Sequence, residues 1–394
     1  VLRVLVLSRQ PGAVAYYRQI IPARCLAASG ADVTHFNGVP WWRALTPKKK
    51  VPGIQDWVAW VHEHAGEFDV ILCDRPTDQN QLAYLRGGAD ANDAHLVMDF
   101  DDDFLHVPEG NPAWENYHPG TQEYETSLLA LKAAEASSFS TSPLQEVLRD
   151  KTHFSEVLPN LIDPIDWEGY PVDPTRKDDP HLRILYSGAG GHYDDLAIIQ
   201  KALTTLVEHP PTPFRFFGIR TAPRWLHILA EKHPGKVIIL PWVPFEDFPK
   251  VLSWGGFDLS IAPLANNPFN ASKSNIRFLE SAVLNIPVIA PVDATPYKSI
   301  PSDCIIKVTN NTEGWLEGLT ELLTNSDLRK TLISPSYRET ISHWAPQTQG
   351  NMWYNFVTKV LDRPRIRSRI DFRLPSEPGP QDLTSHVSNL SPSS

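Results

Sequence analysis

Residues 267–291 read NPFNASKSNIRFLESAVLNIPVIAP, directly downstream of the apolar run FDLSIAPL at 257–264. One apolar run ends at Leu264, polar residues follow, an amphipathic helix is expected over 274–284, and a second apolar run, IPVIAP, begins right after Asn285. Strand, helix and strand in that order, with both strands mainly apolar, make the repeating unit of a parallel sheet covered on two faces. Lys273, Arg277 and Glu280 stand at i, i+4 and i+7, a spacing that puts all three on one helical face. Cations near a helix N-terminus suit a diphosphate, because free N–H groups and the positive dipole end act together. A carboxylate two turns on suits a pair of sugar hydroxyls. The same residues also suit a plain surface helix with an internal ion pair.

Working outward, the same rhythm fills the second half of the chain. Strands are expected at 182–188, 214–219, 236–242, 257–264, 286–291 and 304–308, with helices at 194–208, 223–233, 245–253, 274–284 and 313–324. The first half repeats the pattern, with strands at 1–7, 30–36, 68–74, 94–100 and 137–142 and helices at 15–29, 54–65, 79–86 and 122–136. Between them, residues 158–182 are rich in proline and acid and lack periodicity, which marks a linker. The expected organisation is an α/β domain at 1–160, a linker at 161–181 and a second α/β domain at 182–343. A final helix at 344–370 packs back on the first domain, and a Pro/Ser-rich disordered tail at 371–394 follows. Two such halves place a ligand cleft between them, at the carboxyl ends of their strands.

The bulk numbers agree. With 394 residues, 42% hydrophobic composition and 12 tryptophans, the chain can build two cores. Its net charge of −10 argues against a general electrostatic surface for nucleic acid or anionic lipid. Three scattered cysteines, Cys25, Cys73 and Cys304, form no CxxC pair and fit a reducing, cytoplasmic setting. No run approaches the roughly 20 apolar residues of a membrane span. No HExxH, Walker A or zinc spacing occurs.

A second informative stretch is VMDFDDDF (97–104), which sets four carboxylates within five positions at the end of an apolar strand. Three readings stand side by side. Asp101 or Asp102 acts at a reacting centre, stabilising a cationic sugar or handling a hydroxyl proton. Asp101 and Asp103 bind Mg²⁺ or Mn²⁺. Asp102 or Asp103 merely caps the next segment. Further candidates at strand ends are the turn glycine Gly12, Tyr16, Tyr17 and Arg18 beyond it, Arg75 to Thr77, and Asn111 and Trp114 in EGNPAWENYH. Gly188, Gly190 and His192 in LYSGAGGHYDDL offer a glycine turn for phosphate. Lys48 to Lys50 and the arginines at 363, 365, 367 and 369 are the dense basic patches.

The run 267–291 resembles the donor-binding segment of GT-B glycosyltransferases of the GT4-like retaining group. That pattern has two glutamates eight positions apart, then a short apolar strand opened by proline. Glu280 falls on the second, ribose-binding glutamate and Pro287–Ala290 on the strand, while Ser272 replaces the first glutamate. EVLPNLID (156–163), AVAYYRQIIPARCLAASGADVTHF (13–36), FDVILCDRPT (68–77) and SSFSTSPLQEVL (137–148) resemble other elements of the group in order, in a bacterial or phage-type branch with the D-x-D-D-D segment. The resemblance implies a GT-B architecture of two Rossmann-like domains and transfer of a sugar, with retention, from a UDP-, GDP- or other nucleotide-sugar to a hydroxyl. It also implies donor contacts at Gly188–His192, Trp242, Val243, Lys273, Arg277 and Glu280, and no obligatory cofactor. The implied acceptor is a glycan or a hydroxylated or hydroxymethylated base in DNA. A catalytically silent nucleotide-sugar-binding subunit and a metal-dependent transferase using the aspartates are the alternatives.

Overall fold

The computed structural model describes residues 1–8, 12–36, 64–188, 193–219 and 222–366. Residues 54–63 of the helix expected at 54–65, Gly190, His192, Lys48 to Lys50 and the tail at 371–394 lie outside the described residues.

Two six-stranded, all-parallel sheets organise the chain. The first holds β1 (Arg3–Leu7), β2 (Asp32–Phe36), β3 (Val70–Asp74), β4 (His95–Phe100), β5 (Ala136–Phe139) and β6 (Ser155–Val157), in the order β2-β1-β3-β4-β5-β6. The second holds β7 (Leu182–Tyr186), β8 (Phe214–Ile219), β9 (Val237–Leu240), β10 (Leu259–Ile261), β11 (Val288–Pro291) and β12 (Ile306–Val308), in the order β12-β11-β10-β7-β8-β9. Central strands such as β4 are buried along their whole length, which is why they read as continuous apolar runs. In each sheet the chain first builds outward on one side of the opening strand and then crosses to the other. The strand order therefore reverses between β1 and β3, and again between β7 and β10. Ligands of such sheets bind outside the carboxyl ends at that reversal.

The expected helix over 15–29 is one continuous rod whose middle, Tyr16–Ile20, is π-helical between Ala13–Ala15 and Ile21–Ala28. The proline- and acid-rich stretch before β7 is pinned. Asp163 and Asp173 each cap a 3₁₀ turn that begins with the next proline, Pro164–Asp166 and Pro174–Asp178. Trp167 is fully buried against the rings of Phe245 and Phe248. One apolar cluster runs from Val4 and Ile21 through Trp167 to Phe278 and Val288, so the two halves share a core.

Some elements depart from the sequence reading. β6 is too short to announce itself, and Ser326–Trp344 is a 19-residue helix that contains Pro335 and has no clean apolar stripe. The last helix is Asn351–Leu361, preceded by the turn Pro346–Gln349 rather than running unbroken from Trp344. It lies against Ile21–Ala28, with Ser29 Oγ donating to Asn351 Oδ1 at 3.2 Å and Lys359 Nζ 2.7 Å from Glu156. A Cβ on Gly350 would fall 2.5 Å from the Pro346 carbonyl oxygen and 3.2 Å from Cys25 Sγ, so the turn and its close approach need glycine there. Arg363 lies over the Phe154 ring at 4.0 Å and Arg365 pairs with Asp93 at 3.0 Å, while Arg367 and Arg369 lie outside the described residues. No helix among the described residues is long and apolar enough to cross a membrane.

Candidate active site

The four aspartates at the end of β4 divide the work among different partners. Asp99, 3% exposed, faces Arg18 in a bidentate pair, Nε to Oδ2 at 2.9 Å and Nη2 to Oδ1 at 2.6 Å, and accepts from Ser138 Oγ at 2.5 Å. Arg18 Nη1 donates onward to the Leu158 carbonyl at 2.6 Å and to Asn160 Oδ1 at 3.0 Å. Asn160 Nδ2 donates to Asp101 Oδ1 at 3.2 Å and to Ser274 Oγ at 2.9 Å. Burial and the neighbouring charge of Asp102 push the Asp101 carboxyl above its ordinary range, with Arg18 and Lys273 acting against them. Asp102 meets Lys273 Nζ at 2.5 Å. Asp103 is turned into its own loop, where Oδ1 accepts from Leu105 N at 3.0 Å and Oδ2 faces His106 Nδ1 at 2.7 Å.

This division bears on the metal reading. Both Asp103 oxygens have partners within that turn, Oδ2 also facing Ser272 Oγ at 3.4 Å, and no group of three or more His, Cys, Asp or Glu side chains among the described residues is placed to hold an ion.

The donor-like segment breaks where the sequence reading joins it. Asn267 caps a short helix, Pro268–Ala271, and a second helix, Ile276–Val283, begins only after Ser272–Asn275. Lys273 consequently lies ahead of the helix and does not share a face with Arg277 and Glu280. The tract SKSN carries no apolar residue to anchor a turn and favours local side-chain bonding over helix. Freed from the helix, it reaches the other half of the molecule at three consecutive residues: Thr141 Oγ1 donates to the Ser272 carbonyl at 2.8 Å, Lys273 pairs with Asp102, and Ser274 meets Asn160. Asn275 is 4% exposed and its Nδ2 has no partner among the described residues.

Arg277, 8% exposed, bridges the reversal point of the second sheet. Its Nη1 donates to the Pro263 carbonyl beyond β10 at 3.2 Å, and its guanidinium lies 5.3 Å above the Tyr186 ring at the end of β7. Gly188 permits this packing, because a Cβ there would fall 2.0 Å from the Tyr186 hydroxyl. Glu280 is 6% exposed and accepts from the Tyr17 hydroxyl at 2.9 Å. Burial pushes its carboxyl up to about 7, opposed by the Tyr17 hydrogen bond and the Arg277 charge.

Trp242 is 58% exposed just beyond β9, with Val243 half-buried beside it, so Trp242 is no core side chain. Phe245, three residues on, touches the Tyr17 ring at 5.8 Å, which brings the loop after β9 to the neighbourhood of Glu280. Gly12 adopts φ 131° at the start of the rod that carries Tyr17. Arg75, at the end of β3, stacks 4.3 Å from the Tyr117 ring, and Trp114 stacks on His118 at 5.2 Å in the loop after β4. That loop reaches the other half, where a Cβ on Gly110 would lie 3.7 Å from Asp194.

The sequence reading missed the bridging role of Asn160, the pairing of Tyr17 with Glu280, and Asn275. Asn160 was visible only as the Asn of PNLID, and the other two depend on the apposition of the two halves.

No family model matches the chain, and no curated protein matches it. Solved structures do. HepE from Anabaena, in complex with UDP and glucose, superposes with a TM-score of 0.64 at 14% identity, covering 91% of this chain and 100% of that one. A glycosyltransferase from Rickettsia africae ESF-5 gives 0.62 at 14% identity over 91% and 98%. WaaG, a glycosyltransferase involved in lipopolysaccharide biosynthesis, gives 0.59 at 16% identity over 89% and 99%. With two Rossmann-like halves and these neighbours, the chain has the GT-B fold.

Proposed function

We propose that the protein is a glycosyltransferase that moves a sugar from a nucleotide-diphosphate sugar to a hydroxyl, with retention at the anomeric carbon. The observation that carries this reading is the meeting of Ser272–Ser274 with the acidic end of β4, through the Lys273–Asp102 and Ser274–Asn160–Asp101 contacts. Complexes of the neighbour HepE with UDP and with UDP-glucose support a nucleotide-sugar donor.

In this reading Glu280 accepts from the ribose hydroxyls and the loop at Trp242 and Val243 receives the base. Lys273, the Asn275 amide and the N-terminus of Ile276–Val283 stand where negative charge grows as the diphosphate departs. Arg277 adds its charge from above Tyr186. The acceptor oxygen bonds to the anomeric carbon as the bond to the phosphate oxygen breaks. The electron pair leaves with the diphosphate, and the hydroxyl proton passes to the departing phosphate oxygen on the same face. Asp101 orients the acceptor hydroxyl and balances the positive charge of the sugar. Asp102 serves as the counter-ion of Lys273. Closure of the two halves keeps water from competing with the acceptor.

A glycan acceptor suits the first half better than a DNA base. The net charge is −10, and Arg363 and Arg365 are taken up in packing and pairing within the fold. Trp114 and Tyr117 offer rings for a sugar. Three buried, unpaired cysteines agree with a reducing, cytoplasmic setting. A specific observation favours a second reading, a silent nucleotide-sugar binder. Where the family places a glutamate toward the transferred sugar, Ser272 is 2% exposed and its Oγ faces Asp103 at 3.4 Å.

A thermal-shift screen of nucleotide sugars, with and without Mg²⁺, followed by transfer assays on a glycan array and on duplex DNA, tests the proposal. Bound donor raises the melting temperature in proportion to RT ln(1 + [L]/Kd). Donor binding followed by transfer to glycans supports the enzyme. Salt-sensitive DNA binding with base modification moves the acceptor to DNA. Binding without turnover on any acceptor supports the silent subunit.

A further inference from the structure

Tyr17 and Glu280 lie 263 residues apart and come from opposite halves of the molecule, yet they share a 2.9 Å hydrogen bond. Both are buried, at 2% and 6% exposure. The contact is prepared by the backbone. Tyr16–Ile20 is π-helical, a wider turn that shifts the direction of the side chains it carries and recurs at functional sites. Tyr16 and Tyr17 sit edge to face at 4.9 Å, and both rings touch Phe245 of the second half. The Tyr16 hydroxyl donates to Asp166 Oδ2 at 2.8 Å in the stretch joining the halves. One helical turn therefore holds the connecting segment with its first ring and the second half's buried carboxylate with the next.

We propose that Tyr17 is a positioning residue for the donor: its hydroxyl fixes one oxygen of Glu280 and keeps the carboxylate an acceptor, so that the nucleotide's ribose is gripped fully only when the two halves are closed. This rests on the reading of Glu280 as the ribose-binding carboxylate. A carboxylate with Tyr17 on Oε1 still has Oε2 to accept from ribose hydroxyls, whereas a protonated carboxyl presents a donor in place of one acceptor. The groups facing Glu280 are Tyr17 from the first half, Arg277 on its own helix and Tyr297 on Thr295–Lys298. Of these, Tyr17 and Arg277 favour the ionised form against burial. Removing the Tyr17 hydroxyl deletes one of those two supports, and Glu280 is then protonated at a higher pH.

The test is calorimetric titration of the full-length protein with UDP-, GDP-, ADP- and dTDP-glucose between pH 5.5 and 9. In these probes the diphosphate is esterified at both ends and does not titrate over that range. Wild type should lose affinity on the acid side, with a midpoint near the Glu280 value of about 7. Tyr17→Phe should bind within about twofold of wild type at pH 9, with its midpoint raised by about one unit, making it about fivefold weaker at pH 7 and about tenfold weaker near pH 5.5. In turnover, the same variant should raise the donor KM with kcat little changed. Glu280→Gln should bind weakly and without pH dependence. If Tyr17→Phe follows wild type at every pH while Glu280→Gln has lost the donor, the role of Tyr17 is overturned and the donor reading stands. If wild type binds none of the four probes, or Glu280→Gln binds as wild type does, the donor reading fails and the inference with it. Should Tyr17→Phe fail to fold, the wild-type curve decides instead: a flat pH profile overturns the inference.

Discussion

The Lys273 ammonium and the Asp102 carboxylate meet at 2.5 Å across the two halves of the molecule. In the proposed reading, Asp102 and the departing diphosphate compete for the Lys273 ammonium. Both side chains are partly exposed, at 21% and 40%, so the pair is worth only about 1 kcal/mol, or a factor of about five in an equilibrium. Asp102→Asn should therefore lower the donor KM by up to about fivefold at low salt, with the difference shrinking as salt rises. Lys273→Ala should raise it. Initial rates at two salt concentrations check both.

Neighbouring aspartates should fail in different ways. Asp99 and Arg18 form a fully desolvated bidentate pair, and removing one partner strands the other charge. Arg18→Met or Asp99→Ala should cost about 3–5 kcal/mol of stability, visible as a lowered melting temperature. Asp101 is partly exposed and its closest polar partner is an amide, so Asp101→Asn should leave the fold intact. Its turnover should fall by about two to four orders of magnitude. A scan that reads melting temperature and kcat together separates the two positions.

Glu280 also sets a pH dependence of stability. Its folded value of about 7 lies above the ordinary 4.5, so its protonated form favours the folded state. That contribution is fully present below about pH 4.5 and is lost as pH rises through 7. The shift of about 2.5 units corresponds to about 3 kcal/mol. Glu280→Gln should be more stable than wild type at pH 8 by up to about that amount, and the gap should close toward pH 5. Melting temperatures across pH 5–8 check the slope. A wild type that gained stability relative to the variant on the alkaline side would contradict it.

Much of the fold was legible because parallel strands covered on both faces are mainly apolar, as at β3, β4 and β7. β6, at three residues, and the helix Ser326–Trp344, which carries a proline and no clean stripe, lacked that signal. At the site, the sequence marked Lys273, Arg277 and Glu280 but placed them on one helical face. Periodicity does not reveal that SKSN leaves the helix to bond across the molecule. Nor does local sequence assign Arg18 to Asp99, Lys273 to Asp102 or Tyr17 to Glu280, since each pair depends on packing between distant segments.

The most direct test follows release of free nucleotide from the nucleotide sugar that wild type binds, in the absence of acceptor, beside Asp101→Asn under the same conditions. Slow release by wild type, with release reduced at least a hundredfold in Asp101→Asn and donor affinity unchanged, is the predicted result. Equal release by the two proteins, or joint loss of donor binding and release in Asp101→Asn, would contradict a donor held by the second half and facing Asp101 of the first.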